Sequence, residues 1–395
     1  MKKYTTLFLV AIFGFVTAVF VSPVCAVDGL TDKKPAKGPF VKTDKGYMIP
    51  YTVTIPNGDS ATFDMLPIPG GTFKMGAPQG EKGATAAEGP QIEVTVEPFW
   101  MAKTEVTWVE YKIFMSLYAS FKDFQSKKLR IVNEKNIVDA ITAPTELYEP
   151  TFTFEFGEDP KLPAITLTQY AAKQYSKWMS GILGHQYRLP LDAEWEFACR
   201  GGTKTAYHFG DDPADLGDYA WHEGNSDETP HFVAQKKPNQ FGLYDMHGNV
   251  AEWVLDEYQE TGYKFLAGKT WKAIDTFRMP TKQFPRPVRG GHWGATAEAC
   301  RSSSRLGSHD DDWKEYDPNI PLSPWWYTND PARGVGMRLI RPLNEMSQAE
   351  IRKLKFYEAD VEDILLDVEN RILEGRGVYG IVDKELPAAI KKLDE

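Results

Sequence analysis

Gly242-Leu243-Tyr244-Asp245-Met246-His247-Gly248-Asn249-Val250-Ala251-Glu252-Trp253 holds two carboxylates, Asp245 and Glu252, on either side of a turn-forming Gly248-Asn249 pair. Such a turn leaves backbone carbonyls free, and hard oxygen donors of this kind suit Ca²⁺. A loop held by hydrogen bonds alone is the alternative. Upstream, Tyr187-Arg188-Leu189-Pro190-Leu191-Asp192-Ala193-Glu194-Trp195-Glu196-Phe197-Ala198 sets Arg188, Glu194 and Glu196 around Trp195. That mixture suits a buried ion-pair network locking a helix start. Downstream, the paired glycines of Arg289-Gly290-Gly291 permit conformations and close approaches closed to other residues.

Short β-type segments precede these runs. Phe63 onward reads as strands broken by turns, with Ile68-Pro69-Gly70-Gly71 between two of them, and Gln91–Val96 alternates polar and apolar residues as a half-buried strand should. Thr107 can cap a helix carrying Tyr111, Phe114, Met115 and Tyr118. Thr168 can cap another, with Ala171, Ala172, Tyr175, Trp178 and Met179 on one face. Beyond Leu183 a long glycine- and tryptophan-rich stretch shows little periodicity, so side-chain networks or ions must hold it. No tandem repeat is present. Near the end, Ser347-Gln348-Ala349-Glu350 is a capping-box pattern, followed at helical spacing by Ile351, Leu354, Val361, Ile364, Leu365, Val368 and Ile372, with Gly375 as a stop. This predicts one helix, packed on the main domain or amphipathic and partner-binding.

The chain has 395 residues, 42% of them hydrophobic and 25% charged, which describes a globular protein. Its 32 glycines, 27 prolines and 13% aromatic content predict a loop-rich fold and exclude a plain helical bundle. A net charge of −10 argues against nonspecific nucleic-acid binding, which neutralises phosphates with Lys and Arg. At the N-terminus Lys2-Lys3, the apolar run Leu7–Val21 and Val24-Cys25-Ala26 form a signal-peptide pattern with cleavage after Ala26. The run is short of the roughly 20 residues a spanning helix needs. Export to the periplasm or the medium follows. Cleavage leaves Cys199 and Cys300, enough for one disulfide at most.

Several of these motifs, in this order, resemble the formylglycine-generating enzymes, or sulfatase-modifying factors. The resemblance runs from Phe63 to Pro342 and rests on Ile68–Gly76, Lys103-Thr104-Glu105-Val106-Thr107, Tyr187–Ala198, Gly242–Trp253, Arg289-Gly290-Gly291 and Gly336-Met337-Arg338. It implies an α+β domain of C-type-lectin-like character, poor in regular secondary structure. The expected layout is a signal peptide at 1–26, a linker with a short hairpin at 27–60, the domain at 61–343 and a helical extension at 344–395. The family's calcium loop falls on Asp245, Gly248, Val250 and Glu252, the middle two through their carbonyls. The family's oxidases convert a protein cysteine to formylglycine with copper held by two cysteines that follow the Arg-Gly-Gly motif. Here those positions are Ala295 and Cys300. Alanine cannot ligate, and Cu(I) in linear two-sulfur coordination needs both thiolates. Catalysis would fall to Cys300 alone, whose plain reading is a small core residue. His292 and His309 lack the spacing of replacement ligands. Cys199 is expected to be buried.

Two readings follow: an exported oxidase with altered copper ligation, or a calcium-stabilised, non-catalytic module binding a protein or a glycan. For the latter, Asp310-Asp311-Asp312 beside Trp325 and Trp326 would offer a loop for a cationic or sugar ligand, against a simple solvated turn.

Overall fold

The computed structural model describes residues 28–145, 150–309, 313, 323–327 and 332–393. Local sequence sets the main helices. At the start of Trp108–Ser126, Thr107 donates to Glu110 Oε1 from its backbone N (3.1 Å) and its hydroxyl (2.7 Å), which satisfies a donor the helix itself leaves free. Trp108, Tyr111, Phe114, Leu117, Phe121 and Phe124 recur every three or four residues and all are buried. Gln169–Leu183 begins with the Thr168 hydroxyl accepting from the Ala171 N–H at 3.0 Å and stops at Gly184, whose φ of 74° is the left-handed form glycine takes freely. The two helices meet through aromatic rings, Phe114 lying 5.6 Å from Tyr175 and 5.7 Å from Trp178.

Two small four-stranded sheets organise the rest. In one, Ile340–Pro342, Phe99–Ala102, Thr62–Ile68 and Tyr51–Thr54 lie side by side, all antiparallel. Phe99–Ala102 is buried along its whole length, as an inner strand covered on both faces must be. The other places Arg305–Gly307, Pro287–Arg289, Ala251–Trp253 and Val335–Gly336 in that order, the last pair parallel. Its register sets Glu252 opposite Arg289. Ile92–Val96 is a strand with the expected alternation, paired with Gly71–Met75. The fold is a mixed α+β one with short elements, as the sequence implies.

The regions flanking the domain depart from expectation. The segment read as a linker is ordered: Leu30–Thr31, Val41–Thr43 and Gly46–Met48 form a small sheet, and Met48, Val53 and Ile55 enter the main core. Among the described residues the C-terminal extension carries three helices, Gln348–Lys353, Glu362–Leu373 and Leu386–Lys391, the first two standing where one was expected. The break comes at Lys355, with φ of 50°, because the next residues turn inward. Phe356 and Tyr357 join the core, and Asp360 bonds Arg286 (2.6 and 2.7 Å) and Lys173 (3.1 Å). Gly375 does end the second helix. Beyond it Tyr379–Ile381 pairs with Ala140–Thr142 of the main domain. Packing on the domain is thus the observed state of the extension. Met1–Ala26 and the Asp310-Asp311-Asp312 run lie outside the described residues.

Candidate functional site

Four of the motif runs, through Glu105, Trp195, Glu252 and Arg338 itself, converge on buried Arg338, which follows Gly336-Met337 at the edge of the second sheet. Its Nε donates to Glu252 Oε1 and Oε2 (2.9 and 3.1 Å) and its Nη2 to Glu252 Oε1 (2.7 Å). The Ala102 and Tyr244 carbonyls accept from Nη1 and Nη2 at 3.0 and 2.8 Å. Trp195 Nε1 donates to Glu252 Oε2 at 2.7 Å. Both oxygens of Glu252 are therefore engaged by protein donors. Asp245, held at φ of 60°, accepts from the Ala234 N–H through Oδ2 at 2.8 Å. Its Oδ1 is buried without a hydrogen-bond partner, and so is Oε2 of Glu105, which lies 3.9 Å from Arg338 Nη2. Asn249 Nδ2 donates to Glu105 Oε1 at 3.2 Å. Gly248 has to be glycine, since a Cβ there would sit 2.2 Å from the Trp221 carbonyl oxygen.

Three buried carboxylates thus face one guanidinium. Burial, reinforced by the charge of Asp245, pushes the Glu105 carboxyl well above its usual range, and burial raises Asp245 to about 6. The two free oxygens suit a shared proton or a hard cation. Of the four residues expected to hold calcium, Asp245 has an oxygen to offer, whereas Glu252 is turned to Arg338 and Trp195. Among the described residues no group of three or more His, Cys, Asp or Glu is placed to hold a metal ion. Glu105 and the central part played by Arg338 are absent from the sequence reading. Their signal in the sequence is that each lies within one of the motifs that carry the family resemblance, Lys103–Thr107 and Gly336–Arg338.

A second buried network fixes the Arg-Gly-Gly segment. Arg188 pairs with Glu194 in a two-bond contact of 2.7 and 2.8 Å, as the sequence predicts. Glu196 goes elsewhere, to Arg289 at 2.5 Å and Arg200 at 2.7 Å. Asp192 binds Arg289 and Arg305 at 2.8 and 3.0 Å. Breaking one such buried pair costs about 3–5 kcal/mol, so the segment is held rigidly.

Cys300 ends the short helical turn Ala297–Cys300, for which Thr296 Oγ1 accepts from the Ala299 N–H at 3.3 Å. It is wholly buried, in a small cluster with Ala295, Ala206, Tyr207, Leu216 and Ala220. Gly291, at φ of 73°, packs so closely on it that a Cβ would lie 2.7 Å from the sulfur. The Cys300 carbonyl accepts from His247 Nδ1 at 2.7 Å. Burial pushes the Cys300 thiol up, which favours the protonated form over the thiolate. Cys199 is buried as expected, is a free thiol and is raised to about 12 by burial. His292 is lowered to about 4 by burial, and its Nδ1 accepts from the Gly294 N–H at 3.1 Å. With Ala295 in one position and a buried, protonated thiol in the other, these residues do not fit copper held by two thiolates. Trp313, Trp325 and Trp326 are buried, Trp326 against Tyr111 at 5.7 Å, so their faces fill the core.

Residues 52–316 match the sulfatase-modifying factor enzyme 1-like domain. The chain is 32% identical over 244 residues to "Inactive C-alpha-formylglycine-generating enzyme 2" of Mus musculus, covering 54% of this chain and 75% of that one. It is 27% identical over 222 residues to "Formylglycine-generating enzyme" of Thermomonospora curvata, covering 49% and 71%. It is 26% identical over 281 residues to "Serine/threonine-protein kinase pkn1" of Chlamydia caviae, covering 71% of this chain and 40% of that one. Among solved structures, Treponema denticola variable protein 1 shares the fold, with a TM-score of 0.50 at 21% identity over 74% of this chain and 99% of that one. The chain belongs to the sulfatase-modifying factor, or formylglycine-generating enzyme, family.

Proposed function

We propose that this chain is an exported member of the family that has lost two-thiolate copper chemistry and works by binding a polypeptide partner. One observation carries the reading: Ala295 stands at the first thiol position while Cys300 is sealed beneath Gly291 as a protonated thiol. Such a sulfur cannot hold Cu(I) between turnovers without a second ligand. The similarity to a mouse protein named inactive points the same way. The free oxygen of Asp245, beside the Gly248-Asn249 turn, supports calcium held there with the Gly248 and Val250 carbonyls, as a stabiliser of the fold, while Glu252, expected as a ligand, stays with Arg338 and Trp195. The signal pattern at Met1–Ala26 supports export.

A second reading rests on the retention of Cys300 after Arg289-Gly290-Gly291 in a chain similar to a formylglycine-generating enzyme. A substrate thiolate would then serve as the second copper ligand. The discriminating assay incubates mature protein with Cu(I), oxygen and a Cys-x-Pro-x-Arg peptide and follows the peptide mass. We expect no conversion to formylglycine, and tighter copper binding in Ala295→Cys. Robust turnover that disappears in Cys300→Ser overturns the binding reading and establishes a one-cysteine oxidase.

A further inference from the structure

The C-terminal extension closes a cavity of about 230 Å³ against the helix Gln169–Leu183. Gly181 lets the two surfaces meet, since a Cβ there would lie 2.4 Å from the Val382 side chain. The cavity is lined partly by Lys177 and Gln186 from the domain and partly by Glu345, Arg352, Tyr357 and Glu358 from the extension. It lies apart from the Arg338 and Cys300 centres, and four of these six residues fall beyond the family-matched span of 52–316.

Two polar atoms of this lining are buried without partners. Gln186 is 4% exposed, and its Oε1 accepts from the Met346 N–H at 2.7 Å, which fixes the amide orientation. Its Nε2 is left with no acceptor. Glu358 Oε1 accepts from Lys177 Nζ at 3.5 Å, while Oε2 is buried and unbonded. Lys177 Nζ also donates to the Ala140 carbonyl at 2.9 Å, so one of its three hydrogens remains over. Arg352, at the exposed rim, makes no ion pair among the described residues. The same space therefore presents unpaired donors with positive charge and an unpaired carboxylate oxygen. Buried groups in that state are costly, and a ligand bearing both complements removes the cost. The volume far exceeds the roughly 10–15 Å³ that one water needs, and it falls below the roughly 300–1,000 Å³ of sites for drug-sized molecules. A small zwitterion matches on both counts.

We propose that this cavity binds a free α-amino acid, with its carboxylate toward Gln186 Nε2 and Arg352 and its ammonium toward Glu358 Oε2. The site is independent of the copper question, and its occupancy ties the extension to the domain.

Calorimetric titration of the mature protein with glycine, alanine, glutamate and lysine tests it, with acetate and methylamine as half-ligands. Saturable one-to-one binding by at least one amino acid is expected, with neither half-ligand binding in the same range. Gln186→Glu keeps the acceptor for Met346 but replaces the donor. Glu358→Gln removes the charge that faces the ammonium. Each should weaken binding at least tenfold with an unchanged circular dichroism spectrum. Arg352→Gln, on the exposed rim, should weaken it severalfold and decides the matter if the buried variants misfold. The proposal is overturned if no amino acid binds saturably, if acetate or methylamine binds as well, or if Arg352→Gln binds as wild type; the cavity then holds ordered water only.

Discussion

Replacing Asp360 by asparagine should unfasten the C-terminal extension. The Asp360 carboxylate takes hydrogen bonds from Arg286 Nη1 and Nη2 at 2.7 and 2.6 Å and from Lys173 Nζ at 3.1 Å, and all three side chains are at most 3% exposed. Burial by itself would raise its carboxyl, but Lys173 and Arg286 outweigh burial and hold it far below the usual range. Asparagine keeps the shape and removes the charge, leaving two buried cations without a counter-ion. Lys173, whose own value burial lowers, can shed its proton; Arg286 cannot, and its other side-chain acceptors among the described residues are the neutral Gln169 Oε1 (2.8 Å) and Gln283 carbonyl (3.0 Å). Breaking a buried pair in this way costs about 3–5 kcal/mol. At roughly 2 °C per kcal/mol for a domain of this size, the melting temperature should fall by about 6–10 °C. Adding Lys173→Met removes one stranded charge and should recover part of the loss. The pH dependence has a defined sign. A depressed carboxyl contributes stability that is present above the unfolded value of about 4 and is lost as pH falls toward the folded value. Wild-type melting should therefore drop on acidification below about pH 4 more steeply than that of Asp360→Asn. Scanning calorimetry across pH gives the melting temperatures, and limited proteolysis reports whether 344–395 becomes cleavable. A variant melting within about 1 °C of wild type, with an uncut extension, refutes the reasoning.

The Arg338 centre should respond to pH in the opposite direction. With Asp245 raised to about 6 and Glu105 also held well above its usual range, stability in chelator should be full below about pH 4 and fall as pH rises through 6. Added calcium should lift the melting temperature at pH 7, and Asp245→Asn should abolish that lift; identical wild-type curves with calcium and with chelator argue against the ion. Gly248→Ala places a Cβ 2.2 Å from the backbone oxygen of Trp221, which cannot rotate away as a side chain could. A loss of about 1–3 kcal/mol is expected in denaturant titration, and a wild-type midpoint would show that the turn has room to shift.

Much of the molecule could be read from sequence because its cues are local. Thr107 and Thr168 cap helices where expected, Gln91–Val96 alternates as a strand does, and Gly375 stops a helix, since capping, alternation and left-handed glycine depend on residues a few positions apart. The Arg188–Glu194 pair was legible for the same reason, its partners being six positions apart. Long-range geometry decided the rest. Ile351 to Ile372 has the period of one helix, yet burying Phe356 and Tyr357 and pairing Asp360 with Arg286, 74 residues away, outweighs the propensity of the intervening turn. Asp245 and Glu252 stand out in the sequence as carboxylates flanking a turn, but their spacing could not show that Glu252 answers to Arg338 and Trp195, or that Glu105 would come to lie beside Asp245. The resemblance to the family, counted on from Arg289, picks out Ala295 and Cys300. That Cys300 lies sealed against Gly291 was decided by tertiary packing, because burial and the electrostatics that follow from it belong to the assembled fold.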